Sequence, residues 1–452
     1  MTSLTILGGA REIGANAYHL DLNGTGLLLD AGLHPRLQGK EALPLLDAVT
    51  GEVDAILITH AHLDHVGALP LALRAFHRAR VYMTDPTSRL ALRMLRNAVS
   101  LSRTRRQGQE EPLFGHEEVN WVEQVVHLKE PGRPFNLNSA PGEPPRITLL
   151  EAGHLLGAVG VLIEHGGRRI FYSGDTCAHD QYIVGGAVYP EGPLDLLILD
   201  STHGADAAPD LSRDQRAYGD AMQDLAAFIR ATYHRGGCVL MPVFAMGRAQ
   251  ELLGILHHLR QHGGIPEEMT VHLSGLAHAV ARIYDDTRSQ GARRHPELCL
   301  GETGYQLVHP ERLSDPALLN SPGIFAVTSG MMIPGTSSHT LARLLVRHPR
   351  NGVAFVGYLD PETVGYALAN AIQDAPLDLG GPEPVRLACP VSRFDFTAHS
   401  RASQLLASVE AMRPARVVLV HGDEQAVERL AQNLSHLPCQ VTIAEPRMRL
   451  EF

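Results

Sequence analysis

Thr59-His-Ala-His-Leu-Asp-His-Val-Gly67 sets four potential metal ligands, His60, His62, Asp64 and His65, within six positions. The stretch follows the apolar run Ala55-Ile-Leu-Ile-Thr59 and precedes a helical pattern from Val66 to Phe76. An abrupt strand-to-helix turn aims alternating side chains into one cavity. His60 and His62 are therefore expected to serve one ion, and Asp64 and His65 a neighbouring one. Neutral imidazole and carboxylate are the usual ligands of zinc, with bonds of about 2.0 to 2.2 Å. A solvated surface cluster has no physical reason to crowd these residues behind a buried strand.

Three further residues share that setting. His154 ends Ile147-Thr-Leu-Leu-Glu-Ala-Gly-His, Asp175 ends Phe171-Tyr-Ser-Gly-Asp, and His421 ends Val417-Val-Leu-Val-His. Each follows an apolar run, at the strand ends where open α/β sheets place their ligands. Taken singly, each reads more simply as a satisfied loop residue. Taken with the first motif they complete two sites: His60, His62 and His154 around one ion, Asp64, His65 and His421 around the other, with Asp175 bridging.

The remaining pattern is α/β throughout. Leu27-Leu-Leu-Asp30, Arg169-Ile-Phe-Tyr172 and Leu194-Asp-Leu-Leu-Ile-Leu199 read as buried strands, and Pro86 to Leu101 as a helix. Pro131 to Pro145 is rich in Pro, Gly and Asn and reads as a loop or hairpin. After Gly204 the pattern changes. Long helices at Asp214–His234 and Met246–His262 alternate with strands at 238–241, 269–272, 324–327 and 353–356, which predicts a second unit with a parallel sheet. From about Val385 another strand, 416–420, and helices at 401–412 and 424–434 follow.

The bulk numbers exclude more than they assign. At 452 residues the chain exceeds one ordinary domain, and 44% hydrophobic against 19% charged residues excludes disorder. A formal charge of −10 excludes a wholly basic surface but not a local groove for a polyanion. Arg103, Arg105 and Arg106, the densest basic cluster, read most simply as a solvated helix end or loop. Cys177, Cys238, Cys299, Cys389 and Cys439 lie far apart without a CxxC pair, so no disulfide framework is expected and a reducing cytoplasm is. No apolar run approaches a membrane span, and the N-terminus lacks the pattern of a secretory signal.

The histidine and aspartate run at His60 to His65 resembles the signature of the metallo-β-lactamase superfamily, and Asp30 in Leu27-Leu-Leu-Asp-Ala-Gly32 matches its first motif, where it supports the metal site. The resemblance narrows to the β-CASP branch, the nucleases related to the cleavage and polyadenylation endonuclease and to bacterial ribonuclease J. Asp200 in Leu199-Asp-Ser-Thr-His-Gly204 looks like motif A, His399 in Phe396-Thr-Ala-His-Ser400 like motif B, and His421 in Val420-His-Gly-Asp-Glu424 like motif C. Pro242-Val-Phe-Ala-Met-Gly-Arg-Ala-Gln-Glu251 and Ser329-Gly-Met-Met332 resemble segments of that branch's inserted domain.

The resemblance implies a metallo-β-lactamase αββα sandwich, residues 1–204 plus 385–452, with an inserted β-CASP α/β cap domain at 205–384. It implies a zinc-dependent ribonuclease holding two Zn2+ ions and acting on single-stranded RNA in the cleft between core and cap, as an endonuclease, a 5′-exonuclease or both. His at motif C favours RNA over DNA. Asp64, Asp200 and His399 are the catalytic candidates, with His399 as general acid and Asp200 orienting it. Ser329 and Gly330, with Arg248 as a cation, are candidates for contacts to the substrate phosphates. The plainer readings are a Gly-rich turn for the first two and a helix-start pair with Glu251 for Arg248.

Three departures from the branch stand out. His203 replaces a usual tyrosine, Gly335-Thr-Ser-Ser338 a Gly-Gly-Arg-like segment, and Leu273-Ser-Gly-Leu276 a common Asp-Ser-Pro. They bear on substrate contacts, not on metal ligands. The rival functions are a DNA nuclease, a hydrolase of small esters on the same core, and a non-catalytic RNA-binding subunit. No N-terminal RNA-binding domain is expected before Asp30 and no appended dimerisation domain after His421, although a homodimer through core or cap remains open.

Overall fold

The computed structural model describes residues 2–104, 112–137, 143–206, 210–381 and 383–452. Arg105 and Arg106 of the basic cluster, and the side chain of Arg103, lie outside them.

Two seven-stranded sheets face each other, and strict alternation along their strands explains why. In the strand Gly26–Leu29, Leu27 and Leu29 pack toward the second sheet while Leu28 joins the opposite face. In Leu194–Asp200, Leu196 and Ile198 meet that same inner core, whereas Leu197 and Leu199 pack on helices Ala402–Met412 and Glu424–Leu434. Side chains of period two with both faces apolar require cover on both sides. Helices Leu69–Ala75, Asp85–Thr104 and His116–Val125 supply it for the first sheet, which completes the αββα sandwich.

The strand Leu194–Asp200 pairs in parallel with Pro414–Val420, so the chain's last part closes the sheet begun by its first. The short strand Phe135–Asn136 pairs antiparallel with Arg146–Glu151; residues 138–142 of the Pro- and Gly-rich stretch lie outside the described residues. One expected helix is divided: Val66 ends the turn Leu63–Val66, and a new helix runs Leu69–Ala75. Pro70 in its first turn has no N–H to continue the earlier helix and is preorganised to start the next.

The inserted unit carries a six-stranded sheet, parallel at every pairing, as its Val- and Ile-rich runs predict. Its edge strand, Val391–Arg393, lies past the expected boundary at residue 384, because Val353 to Phe355 pair with it in register. The chain thus leaves the cap sheet just before Phe396-Thr-Ala-His399.

Cap and core share one packed apolar cluster and several hydrogen bonds. On one side Gly185 N–H donates to Ala292 O (2.8 Å) and Arg294 N–H to Ile183 O (2.8 Å). On the other, Arg36 of the core reaches Asp360 of the cap at 3.4 Å. All five cysteines are unpaired, and among the described residues no helix is long and apolar enough to cross a membrane.

Candidate metal centre

Asp30, His60, His154, Asp175 and His421 each follow a strand of the two facing sheets, and the strand ends converge at one edge of the sandwich. The loops that deliver them are tight. Asp30 (φ +59°) and His421 (φ +52°) occupy the left-handed region, which costs a non-glycine residue about 1 to 3 kcal/mol and persists where surroundings enforce it. Gly174 (φ +54°) admits no side chain, since a Cβ there would lie 2.9 Å from Thr59.

The structure brings the seven expected ligands together in two adjacent groups, and a third, Asp175, Asp200 and His421, overlaps both. His60, His62, His154 and Asp175 offer ligand atoms within 4.8 Å of one another, as do Asp64, His65 and His421. Asp175 stands between. Its Oδ2 lies 3.5 Å from His60 Nε2 and 3.7 Å from His154 Nε2; its Oδ1 lies 3.1 Å from His65 Nε2 and 3.2 Å from His421 Nδ1.

Two observations test whether cations fit this cage. His60 Nε2 and Asp175 Oδ1 are buried without a hydrogen-bond partner, although imidazole nitrogens crowd around them. Orphaned buried polar atoms are costly unless a ligand satisfies them. The charge balance points the same way. Burial holds His60 and His154 well below the ordinary imidazole value, in the neutral form that ligates metal. Burial opposes charge on His65 and His421 as well, but the facing carboxylates, Asp175 foremost, outweigh it and raise both. Asp175 is in turn held far below the usual carboxylate range, against its burial, chiefly by His421 and His65. The cage thus concentrates negative charge that dications would balance, and its N and O donor set suits zinc.

A supporting layer fixes the ligands. Asp30 accepts from Thr59 N–H (2.7 Å), Thr59 Oγ1 (2.8 Å) and Tyr172 Oη (2.7 Å), and its Oδ2 lies 2.8 Å from His65 Nδ1. Such a carboxylate sets both the ring orientation and the tautomer of a ligating histidine. Asn16 Nδ2 donates to Asp64 O at 3.1 Å, and Ala398 O lies 3.0 Å from His154 Nδ1. Sequence reasoning found Asp30 in this layer but not Asn16, Thr59, Tyr172 or Ala398. Thr59 flanks the signature and could have been suspected; the others carry no signal of their own.

Beside the cage sit Asp200 and His399. Asp200 Oδ2 is 3.1 Å from His399 Nδ1, while Oδ1 accepts from Thr202 Oγ1 at 2.7 Å. Burial would raise Asp200, but His399 outweighs it and keeps the carboxyl ionised far below its usual range. His399 is partly exposed, its ring centroid 4.5 Å from that of His154. The loop carrying it is tied to the core: Ser400 N–H donates to Thr176 O at 2.6 Å, and Ala178 N–H to Ser400 Oγ at 2.9 Å.

The three cap candidates lie apart from this network. Arg248, buried at the start of helix Arg248–Gln261, leaves Nη1 without a partner, and no ion pair joins it to Glu251. Glu251 instead accepts from the Ile183 and Val184 amides, at 2.8 and 3.0 Å. Ser329 Oγ accepts from Ile333 N–H at 2.8 Å, and Gly330 lets Phe244 pack against bare backbone, where a Cβ would meet the ring at 2.9 Å.

Comparison with known proteins agrees with this architecture. Three family models match: the beta-lactamase superfamily domain at residues 25–234, the Beta-Casp domain at 249–368, and the Zn-dependent metallo-hydrolase RNA specificity domain at 384–443. Similar curated proteins include cleavage and polyadenylation specificity factor subunit 3 of Dictyostelium discoideum, 28% identical over 95% of this chain and 54% of its own length. Endoribonuclease ysh1 of Schizosaccharomyces pombe is 30% identical over 95% of this chain and 55% of its own length. Cleavage and polyadenylation specificity factor 73 of Drosophila melanogaster is 28% identical, with 94% and 60% covered. The chain therefore spans little more than half the length of these relatives. A crystal structure of a protein of unknown function from Enterococcus faecalis V583 shares the fold, with a TM-score of 0.57 at 13% identity over 99% of both chains. Fold, site and ordered domain matches together place the chain in the metallo-β-lactamase superfamily, and within it the chain belongs to the β-CASP branch.

Proposed function

We propose that the chain is a zinc-dependent ribonuclease that hydrolyses phosphodiester bonds of single-stranded RNA in the cleft between core and cap. The observation that carries this reading is the Asp200–His399 pair set beside a double cation cage, His399 Nδ1 at 3.1 Å from the carboxylate and its ring partly exposed. The relatives' names, endoribonuclease among them, and the RNA specificity domain support RNA as substrate and an internal cut.

His60, His62 and His154 would hold one zinc ion, Asp64, His65 and His421 the second, with Asp175 facing both. Bound zinc supplies a nucleophile at neutral pH and Lewis-acid polarisation of the phosphoryl group. The protein's own share is acid catalysis and orientation. The Asp200 carboxylate holds the ring at Nδ1, which turns Nε2 toward the departing oxygen as the proton-donating atom. Asp64 joins Asp200 and His399 in the catalytic set because it reaches across to His421 Nε2 at 3.3 Å and so fixes the edge of the cage beside them. On the cap, the unpartnered guanidinium of Arg248 and the turn at Ser329 and Gly330 are proposed to contact phosphates of the strand. Free cysteines suit work in a reducing cytoplasm.

The test is cleavage of 5′- and 3′-labelled single-stranded RNA by wild type and His399→Ala, each assayed for bound zinc. Wild type should cleave, and the variant should keep its zinc while losing about 10² to 10⁴ in rate. Full activity in the variant refutes the acid assignment. Turnover of small esters without RNA cleavage refutes the nuclease reading.

A further inference from the structure

His203 occupies a position that the metal cage does not use. It is half-buried, with Nε2 2.9 Å from Thr397 Oγ1 and Nδ1 3.9 Å from Asp206 Oδ1. Asp206 is itself anchored, since its Oδ2 accepts from Ala402 N–H at 3.1 Å, at the start of helix Ala402–Met412. Thr397 Oγ1 accepts from His399 N–H at 3.1 Å. Hydrogen bonds thus run from the imidazole through the Thr397 hydroxyl to the backbone of the proposed proton donor, and the anchored Asp206 carboxylate faces the far edge of the ring without a hydrogen bond to it.

We propose that His203 is a positioning residue for His399, acting through Thr397; the proposal rests on the phosphodiester reading above. A carboxylate on the Nδ1 edge favours the tautomer with its proton there, which leaves Nε2 as an acceptor for the Thr397 O–H. The Thr397 oxygen then keeps a lone pair for His399 N–H. Asp200 fixes the His399 ring from one side, and the His203–Thr397 pair fixes its main chain from another. Ser400 N–H on Thr176 O holds the loop as a whole, whereas the Thr397 hydroxyl acts on the His399 amide itself; a ring hydrogen-bonded at Nδ1 swings about that contact if its backbone shifts, and Nε2 moves farthest. Misplacement of a reacting group by about 1 Å costs up to 10²-fold. The rings of His203 and His399 also meet edge to face, centroids 6.0 Å apart, a contact that His203→Phe keeps while it removes the hydrogen bond to Thr397.

A leaving-group comparison separates positioning of an acid from general damage. The oxygen leaving an RNA phosphodiester is a strong base and needs a proton, whereas p-nitrophenolate departs without one. His203→Phe removes the acceptor; His203→Gln returns a polar atom near the place of Nε2. On single-stranded RNA, His203→Phe should lower kcat roughly ten- to hundredfold with KM within about threefold. On bis(p-nitrophenyl) phosphate it should lose much less, and His203→Gln should recover most of the RNA rate. Thr397→Val should reproduce the His203→Phe pattern, and the double variant should be little worse than either, as for residues acting in one chain. Bound zinc and melting temperature are measured on every variant. Equal losses on both substrates, full RNA activity in His203→Phe, or additive losses in the double variant would each overturn the proposal. A wild type that hydrolyses the activated ester but leaves RNA intact overturns the ribonuclease reading itself, before any variant is compared.

Discussion

In the core, three of the proposed ligands are braced from behind. His65 rests on Asp30, His154 on the Ala398 carbonyl, and His421 on Asp200 and Thr202, all at hydrogen-bonding distance. The cap wall is different. Arg248 is buried with an unused Nη1, and Ser329 and Gly330 are committed to a turn and to the packing of Phe244. A site that must hold cations needs preorganised side chains, whereas a wall that only guides a polyanion can work with backbone and one guanidinium. The contrast predicts that damage to the core wall abolishes chemistry and that damage to the cap wall weakens binding.

The largest effect should come from Asp175→Ala. Removing the residue that faces both groups should empty at least one position and lower RNA cleavage by about a thousandfold or more, read by metal analysis beside a cleavage assay. Asp30→Asn is gentler, since it keeps the shape but loses the charge behind His65; zinc affinity should fall roughly 10- to 100-fold. A chelator titration measures it, and unchanged affinity would remove Asp30 from the supporting layer. Arg248→Ala should raise KM for RNA several-fold, hold kcat within about threefold, and shallow the salt dependence by roughly one phosphate contact. A collapse of kcat with loss of zinc would instead move Arg248 to the core's side of the contrast.

The smallest effects are in stability, and core and cap should respond to pH in opposite directions. Glu151 of the core lies against Gly291 of the cap, and burial raises it from its ordinary 4.5 to about 7. The folded state then keeps a proton that the unfolded chain has released, so stability falls as pH rises from 4.5 to 7. His272, buried in the cap and stacked on Phe325, is lowered by burial from 6.5 to about 4. Here the unfolded chain takes up the proton first, so stability falls as pH drops from 6.5 to 4. Melting curves across both windows should show Glu151→Gln flattening the first slope and His272→Gln the second. Unchanged slopes would assign the pH response to other groups.

The same contrast explains what could be read from the sequence. His60 to His65, His154, Asp175 and His421 were legible because ligation demands particular side chains, and because each follows an apolar run that marks a strand end. The parallel cap sheet was legible from runs such as Ile324 to Val327, apolar on both faces. Asn16, Tyr172 and the Ala398 carbonyl were not, since their roles depend on distant strands meeting, and a main-chain oxygen has no letter in the sequence. The edge strand Val391–Arg393 escaped for a similar reason: three residues, partly polar, carry too little pattern to read as a strand.

Every proposed ligand, and the Asp200–His399 pair beside them, comes from the sandwich; the inserted unit contributes none. The two units are not independent, however: Phe396-Thr-Ala-His399 follows directly on the cap strand Val391–Arg393, and Ala398 O braces His154, so a tilt of the inserted unit would reach the proposed donor and one proposed ligand through that loop.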